Sequence, residues 1–269
     1  MTRKELFSHI QSKKSFLCIG LDTELKKIPA HLQVYDDPVY EFNRQIIDHT
    51  KDLCVAYKLN LAFYESLGSD GLLAFEKTIK HIPENIFTIA DAKRGDIGNT
   101  SRMYADTFFN YYKVHAVTVA PYMGADSVKP FLDYPGKFTI VLALTSNEGS
   151  NDFQTMNDGK EMLFEKVIRK VSDWGTPDNV MFVAGATRNE QLKRIREIAP
   201  DHFLLIPGVG AQGGDLQTVA RYCMTDDCGM LVNSSRQVIY ASSGKNFAEA
   251  AREQAKMMQQ EMEKLLERI

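Results

Sequence analysis

Short apolar runs of strand length recur from one end of the chain to the other, separated by stretches with helical spacing. Phe16–Leu21, Val55–Asn60, Ile86–Ala90, Ala116–Ala120, Phe138–Thr145, Asn179–Ala184, Phe203–Pro207 and Met230–Asn233 are nearly unbroken apolar segments. Such runs suit strands buried on both faces, as in a parallel sheet. Between them, Pro38–Thr50, Ser69–His81, Asn99–Tyr112, Lys160–Trp174 and Asn189–Ile198 carry the pattern of helices with one buried face. Ser69 and Asn189 are expected as N-caps, and Gly175 as the stop after Trp174. A further helix, Arg3–Lys14, precedes the first strand. In the last predicted helix, Phe247–Ile269, an apolar stripe comprises Phe247, Ala251, Ala255, Met258, Met262, Leu265 and Ile269. It is read as a face packed on the body of the protein, not as a coil for a partner.

Eight βα units of this size predict an α/β protein, a closed (β/α)8 TIM barrel. An open doubly wound sheet stays possible at this point, because periodicity does not specify closure. No Pro/Gly/Ser linker or change of composition divides the sequence, so residues 1–269 are expected to form a single domain with the extra N-terminal helix and a long C-terminal one.

Composition adds exclusions more than identity. The chain of 269 residues is 44% hydrophobic and 25% charged, ordinary for a globular protein. A net charge of −3 and a pI near 6.1 point to no nucleic-acid or membrane partner, so an anionic ligand must be held by local charges. Neither a signal peptide nor a membrane span is expected at MTRKELFSHIQSKKSF. Four cysteines without CxxC spacing and six histidines without HxH or HExxH pairs predict no zinc site and no disulfide framework. The cytoplasm is the simplest location.

In a barrel, chemistry belongs at the C-terminal strand ends and the loops that follow. Those positions hold Asp22, Lys58, Asp91, Lys93, Asp96, Ser146, Gln212 and Arg236. The third strand end reads Asp91-Ala-Lys93-Arg-Gly-Asp96-Ile-Gly-Asn-Thr100. Period-2 alternation would aim Asp91 and Lys93 the same way. Lys58 ends the neighbouring strand, so a Lys–Asp–Lys array would pair each buried charge with its opposite; a purely structural ion-pair cluster is the alternative. After the seventh strand, Pro207-Gly-Val-Gly-Ala-Gln212-Gly213-Gly214-Asp215 leads into a helix, and Ser235-Arg236 ends the eighth. Glycine amides with a forked arginine make a phosphate site in this barrel position. The long polar loop Thr145–Gly159 is expected to be a lid on the catalytic face.

These residues resemble one family, orotidine 5'-monophosphate (OMP) decarboxylase, in its longer bacterial branch. The likeness runs in order through Gly20-Leu-Asp22, Tyr57-Lys58, Asp91–Thr100, Pro121-Tyr-Met-Gly124, Thr145-Ser-Asn147, Pro207–Asp215 and Ser235-Arg236. Glu148 stands where many relatives have proline, and Ala120 where asparagine is common. The resemblance implies a cofactor-free lyase, a decarboxylase of pyrimidine biosynthesis that converts OMP to UMP and CO2. It implies a catalytic array of Lys58, Asp91, Lys93 and Asp96, the last from the partner in a homodimer, with Thr100 also reaching across. Asp22 would contact the ribose, Ser146 the pyrimidine, and Gln212, Gly213, Gly214 and Arg236 the phosphate. Three other readings compete: a Mg2+-dependent sugar-phosphate enzyme of the same barrel superfamily, a Schiff-base aldolase at Lys93, and a non-catalytic nucleotide sensor.

Overall fold

The structure is a computed structural model that describes residues 1–186, 189–209, 215–267 and 269. Eight parallel strands close into a barrel in chain order: β1 (Leu17–Gly20), β2 (Ala56–Asn60), β3 (Phe87–Arg94), β4 (Ala116–Val119), β5 (Phe138–Leu144), β6 (Val180–Ala184), β7 (Phe203–Pro207) and β8 (Met230–Ser234). Closure is made by β1 against β8, with Cys18 opposite Asn233, which removes the open-sheet alternative. Nearly every strand residue is buried, since the inner face fills the barrel and the outer face packs on helices.

The helices are α1 (Arg3–Lys13), α2 (Pro38–Thr50), α3 (Leu61–Glu65), α4 (Gly68–His81), α5 (Gly98–Asp106), α6 (Ala125–Leu132), α7 (Leu163–Trp174), α8 (Asn189–Ile198), α9 (Leu216–Cys223), α10 (Arg236–Ile239) and α11 (Phe247–Leu266). Helix α1 opens with a Thr2–Glu5 capping box and buries Leu6 and Ile10. Lys13 Nζ donates to the carbonyls of Lys51 and Cys54 at 2.7 and 2.8 Å, and Arg3 pairs with Asp227. The helix therefore lies beneath the N-terminal ends of β2 and β8, away from the strand ends where chemistry is expected. Helix α11 packs along α2, with the Phe247 and Phe42 rings stacked 5.0 Å apart.

Several boundaries differ from the sequence reading. Ser69 does not cap α4; the helix starts at Gly68 behind Leu67, because α3 turns into it without an extended residue to serve as N-cap. The chain from Lys160 to Met162 is not helical: α7 starts at Leu163, where the Glu165 carboxylate accepts from the Met162 amide. The Asn99–Tyr112 stretch divides into α5 and a π turn at Thr107–Tyr111. The stripe on α11 is buried from Phe247 to Leu265, but Ile269 lies past the helix end and is 47% exposed. Gly175 follows α7 as expected, and α8 starts at Asn189, whose capping side chain lies outside the described residues.

Two histidines sit below the strands. Burial, then nearby positive charge, depresses His115 and His202 to a pKa of about 4. The Thr88 amide, which can only donate, points at His115 Nδ1, so that nitrogen is held unprotonated. Groups neutral in the fold but protonated when unfolded make stability depend on pH. Their contribution is complete above about pH 6.5 and is lost as pH falls through 4. His202→Phe keeps a ring against Phe182, now 5.2 Å away. It is expected to flatten the decline between pH 6.5 and 4 by up to about 1.4 kcal/mol per pH unit. Urea unfolding across that range measures it; an unchanged slope would show that His202 titrates alike in both states.

Candidate active site

The third strand carries the central feature. Between Ala90, paired with Val117, and Arg94, paired with Val119, the β3–β4 register slips, so that on the β4 side Thr118 alone stands opposite Asp91, Ala92 and Lys93. Lys93 has φ +46°, a left-handed conformation uncommon for a side-chain-bearing residue. Its amide donates to Thr118 Oγ1 at 2.8 Å instead of to a ladder carbonyl. Asp91 and Lys93 thus meet through a bulge, not through the simple alternation expected from sequence.

Asp91 is buried and every contact it makes here is a donor. Lys58 Nζ reaches Oδ2 at 3.0 Å, Lys93 Nζ reaches Oδ1 at 2.7 Å, and Thr118 Oγ1 donates to Oδ1 at 2.9 Å. Burial alone would raise the Asp91 carboxyl, but the two ammonium groups outweigh it and hold the pKa at about 2. For Lys58 burial works toward the neutral amine, yet Asp91 and Asp22 overcome it and push the ammonium above its ordinary range. Asp22 Oδ1 stands 3.5 Å from Lys58 Nζ. The loop carrying Asp22 is fixed by Tyr64, whose hydroxyl donates to the Leu21 carbonyl at 2.8 Å, and by Tyr240, which accepts from the Glu24 amide at 2.7 Å.

These groups open onto a cavity of about 320 Å³ at the C-terminal strand ends. Asp22, Lys58, Asp91, Lys93, Thr145, Ser146, Asn147, Pro207 and Arg236 line it, with an apolar wall of Leu142, Val183, Leu205 and Val209. Close backbone passages shape two sides. At Gly20 a Cβ would stand 2.7 Å from Ser235 Cβ, and Ser235 donates to the Gly20 carbonyl at 3.0 Å, which anchors the turn bearing Arg236. At Gly185 a Cβ would come within 2.8 Å of the Ser146 amide, so glycine there lets the Ser146 loop settle against β6. That loop is clamped by Gln154, whose side chain accepts from the Thr145 amide at 2.8 Å.

Within this chain Asp96 and Thr100 do not join the array. Asp96 accepts from the Ile97 amide at 2.7 Å, and Thr100 is exposed on the first turn of α5; neither lines the cavity. Gln212, Gly213 and Gly214 lie outside the described residues. Thr118 and Gly185 are the positions that sequence reasoning missed: a threonine inside an apolar strand and a glycine after one carry no local sign of a site.

Removing one partner from a buried ion pair ordinarily costs about 3–5 kcal/mol. Asp91→Asn is therefore expected to lower stability at pH 6 by about that much. A carboxyl held below its unfolded pKa stabilises above that value and stops doing so as pH falls toward 2. The difference between wild type and variant should accordingly narrow between pH 6 and pH 3 in urea unfolding. A constant difference would assign the loss to packing and not to charge.

Residues 15–253 match the profile of the orotidine 5'-phosphate decarboxylase / HUMPS family. A Parabacteroides distasonis protein named orotidine 5'-phosphate decarboxylase is 59% identical over 97% of this chain and 95% of its own length. A Bacteroides fragilis protein of the same name is 56% identical over 100% of both chains. Among solved structures, Leishmania donovani OMP decarboxylase superposes with a TM-score of 0.81 at 36% identity, covering 96% of this chain and 99% of that one. With most of its length matched by the profile and full-length relatives above half identity, the chain belongs to the orotidine 5'-phosphate decarboxylase / HUMPS family.

Proposed function

We propose that this protein decarboxylates OMP to UMP and CO2, without a cofactor, at the Lys58–Asp91–Lys93 array. The observation that carries the reading is a buried carboxylate held between two ammonium groups on the floor of a nucleotide-sized cavity that has Arg236 on its lining. Breaking the bond from C6 to the carboxylate leaves the electron pair on a carbon that the ring cannot relieve. An ammonium fixed beside that carbon stabilises the charge without reorganisation, and its proton then moves to C6 where CO2 left. Lys93 fills that role and regains its proton from solvent. Asp91 orients Lys93 and adds repulsion toward the substrate carboxylate, a smaller effect. Asp22 and Lys58 take the ribose, Ser146 the pyrimidine, and Arg236 the phosphate with Gln212, Gly213 and Gly214. Phosphate binding far from C6 lets remote contacts assist the chemistry.

The family also contains sugar-phosphate enzymes, and the array argues against that alternative. Asp22 and Asp91 converge on the Lys58 ammonium, so the carboxylates that would attract a divalent cation are already paired. A Schiff-base role is disfavoured because Lys93 is engaged by Asp91 at 2.7 Å, and a carboxylate-paired ammonium is a poor nucleophile. A sensor would have little need for buried charge of this kind. Lys93→Ala should abolish turnover of OMP, followed by the absorbance change from orotate to uracil in EDTA, while UMP affinity stays within about tenfold. A variant with near-normal kcat would remove Lys93 from the mechanism.

The reading includes a homodimer in which Asp96 and Thr100 complete the neighbouring site. Asp96 sits apart from its own array on a segment that also presents Ile97 and Met103, both more than half exposed, to solvent. If the site is shared, Lys93→Ala and Asp96→Ala homodimers are each nearly inactive. A mixed dimer gathers both lesions in one site and leaves the other intact. Random re-pairing of equal amounts makes half the dimers mixed, so activity should return to about a quarter of wild type. The two variants are unfolded, mixed, refolded and assayed. No recovery with mixed dimers confirmed by mass spectrometry would place Asp96 outside the partner's site.

A further inference from the structure

Thr118 lies on β4 and is 1% exposed, yet on that strand it is the residue set opposite the three-residue bulge of β3. Its hydroxyl is committed in both directions. The Lys93 amide can only donate, so Thr118 Oγ1 must accept there, at 2.8 Å. The hydroxyl proton is then free to go to Asp91 Oδ1 at 2.9 Å. The Lys93 ammonium contacts that same oxygen. The result is a closed ring: Lys93 backbone to Thr118, Thr118 to Asp91, and Asp91 back to the Lys93 side chain.

Resting on the decarboxylase reading, we propose that Thr118 is a positioning residue that fixes the strained Lys93 backbone and the Asp91 carboxylate in one geometry and so places the Lys93 ammonium. The left-handed backbone at Lys93 needs a partner to hold it, because this conformation is unfavourable for a residue with a Cβ. The ladder supplies none at the bulge; Thr118 does. A side chain sharing Asp91 Oδ1 also limits the directions from which the Lys93 ammonium can approach. Its position relative to a bound pyrimidine then follows from β4 as well as from β3, and displacements near 1 Å are enough to slow an oriented reaction strongly.

The test uses two substitutions in the full-length enzyme. Thr118→Val keeps the shape and removes the hydroxyl; Thr118→Ser keeps the hydroxyl and removes the methyl. Thr118→Val is expected to lower kcat for OMP roughly 10- to 100-fold, with KM and UMP affinity within about threefold of wild type. Thr118→Ser is expected to retain kcat within about threefold. Activity is normalised to folded protein by circular dichroism, so that a loss of stability alone is not counted. A Thr118→Val enzyme with wild-type kcat would overturn the inference, and so would an equal fall in both variants, which would assign the effect to space and not to hydrogen bonding. Wild-type protein that leaves OMP unchanged would overturn the decarboxylase reading itself, a result visible before either variant is assayed.

Discussion

A carboxylate taken out of water must either lose its charge or be surrounded by donors, and Asp91 is surrounded. Lys58, Lys93 and Thr118 occupy its two oxygens from three strands. The same pairing, with Asp22, keeps Lys58 charged although it is buried, so removing either group takes away a principal partner of the other. The floor of the cavity is therefore a single electrostatic unit, and the strands beneath it must hold their relative positions to within hydrogen-bond tolerance. The bulge in β3, the left-handed Lys93 and the closed register of the barrel all serve that requirement.

The barrel meets it because neighbouring strand ends converge. Lys58 lies on β2, Asp91 and Lys93 ride β3, Thr118 lies on β4, and Asp22 follows β1, so four consecutive strands supply one cluster. Closure between β1 and β8 brings Ser235 against Gly20 and sets Arg236 into the lining of the same cavity. An open sheet would leave β8 remote from β1 and Arg236 with no shared cavity. The helices contribute differently: α1 and α11 pack at the base and flank, where they stabilise the frame.

The fold was legible because it depends on patterns that repeat. Eight buried strands write eight apolar runs, and the charged residues at their ends stand out against that background, as Lys58, Asp91 and Lys93 do. Features that depend on contact across the fold left no such trace. Thr118 reads as one more β-branched strand residue, and only the register slip reveals that its hydroxyl serves the array. Gly185 reads as a turn, although its function is to admit the Ser146 backbone. The capping rule failed at Ser69 because α3 runs directly into α4, and the expected helix start at Lys160 moved to Leu163 because the loop before it folds back, with the Leu163 and Phe164 amides donating to the Met156 and Gln154 carbonyls. The Asp91–Lys93 alternation gave the correct neighbours from an incorrect backbone, since a bulge and not a flat strand brings them together.

On the proposed decarboxylase reading, charge is divided across the cavity in a way that fits an anionic substrate better than a uniform positive pocket would. Within one chain, Asp22, Lys58, Asp91 and Lys93 contribute two charges of each sign, so the array is balanced and its buried members, Lys58 and Asp91, keep their charge without a ligand. A protein of net charge −3 offers no general attraction to a phosphate, and the balanced array adds little. In the proposed role, attraction falls to Arg236, which is exposed on the lining, where a permanent guanidinium would meet phosphate before it is desolvated. On that reading, binding strength and reactivity belong to different groups. The arginine can gain affinity without disturbing the lysine, and the lysine can stay paired with Asp91 until a substrate carboxylate enters beside it. Such a separation allows remote binding energy to be used at the reacting carbon, because the group that grips the substrate is not the group that must change its charge.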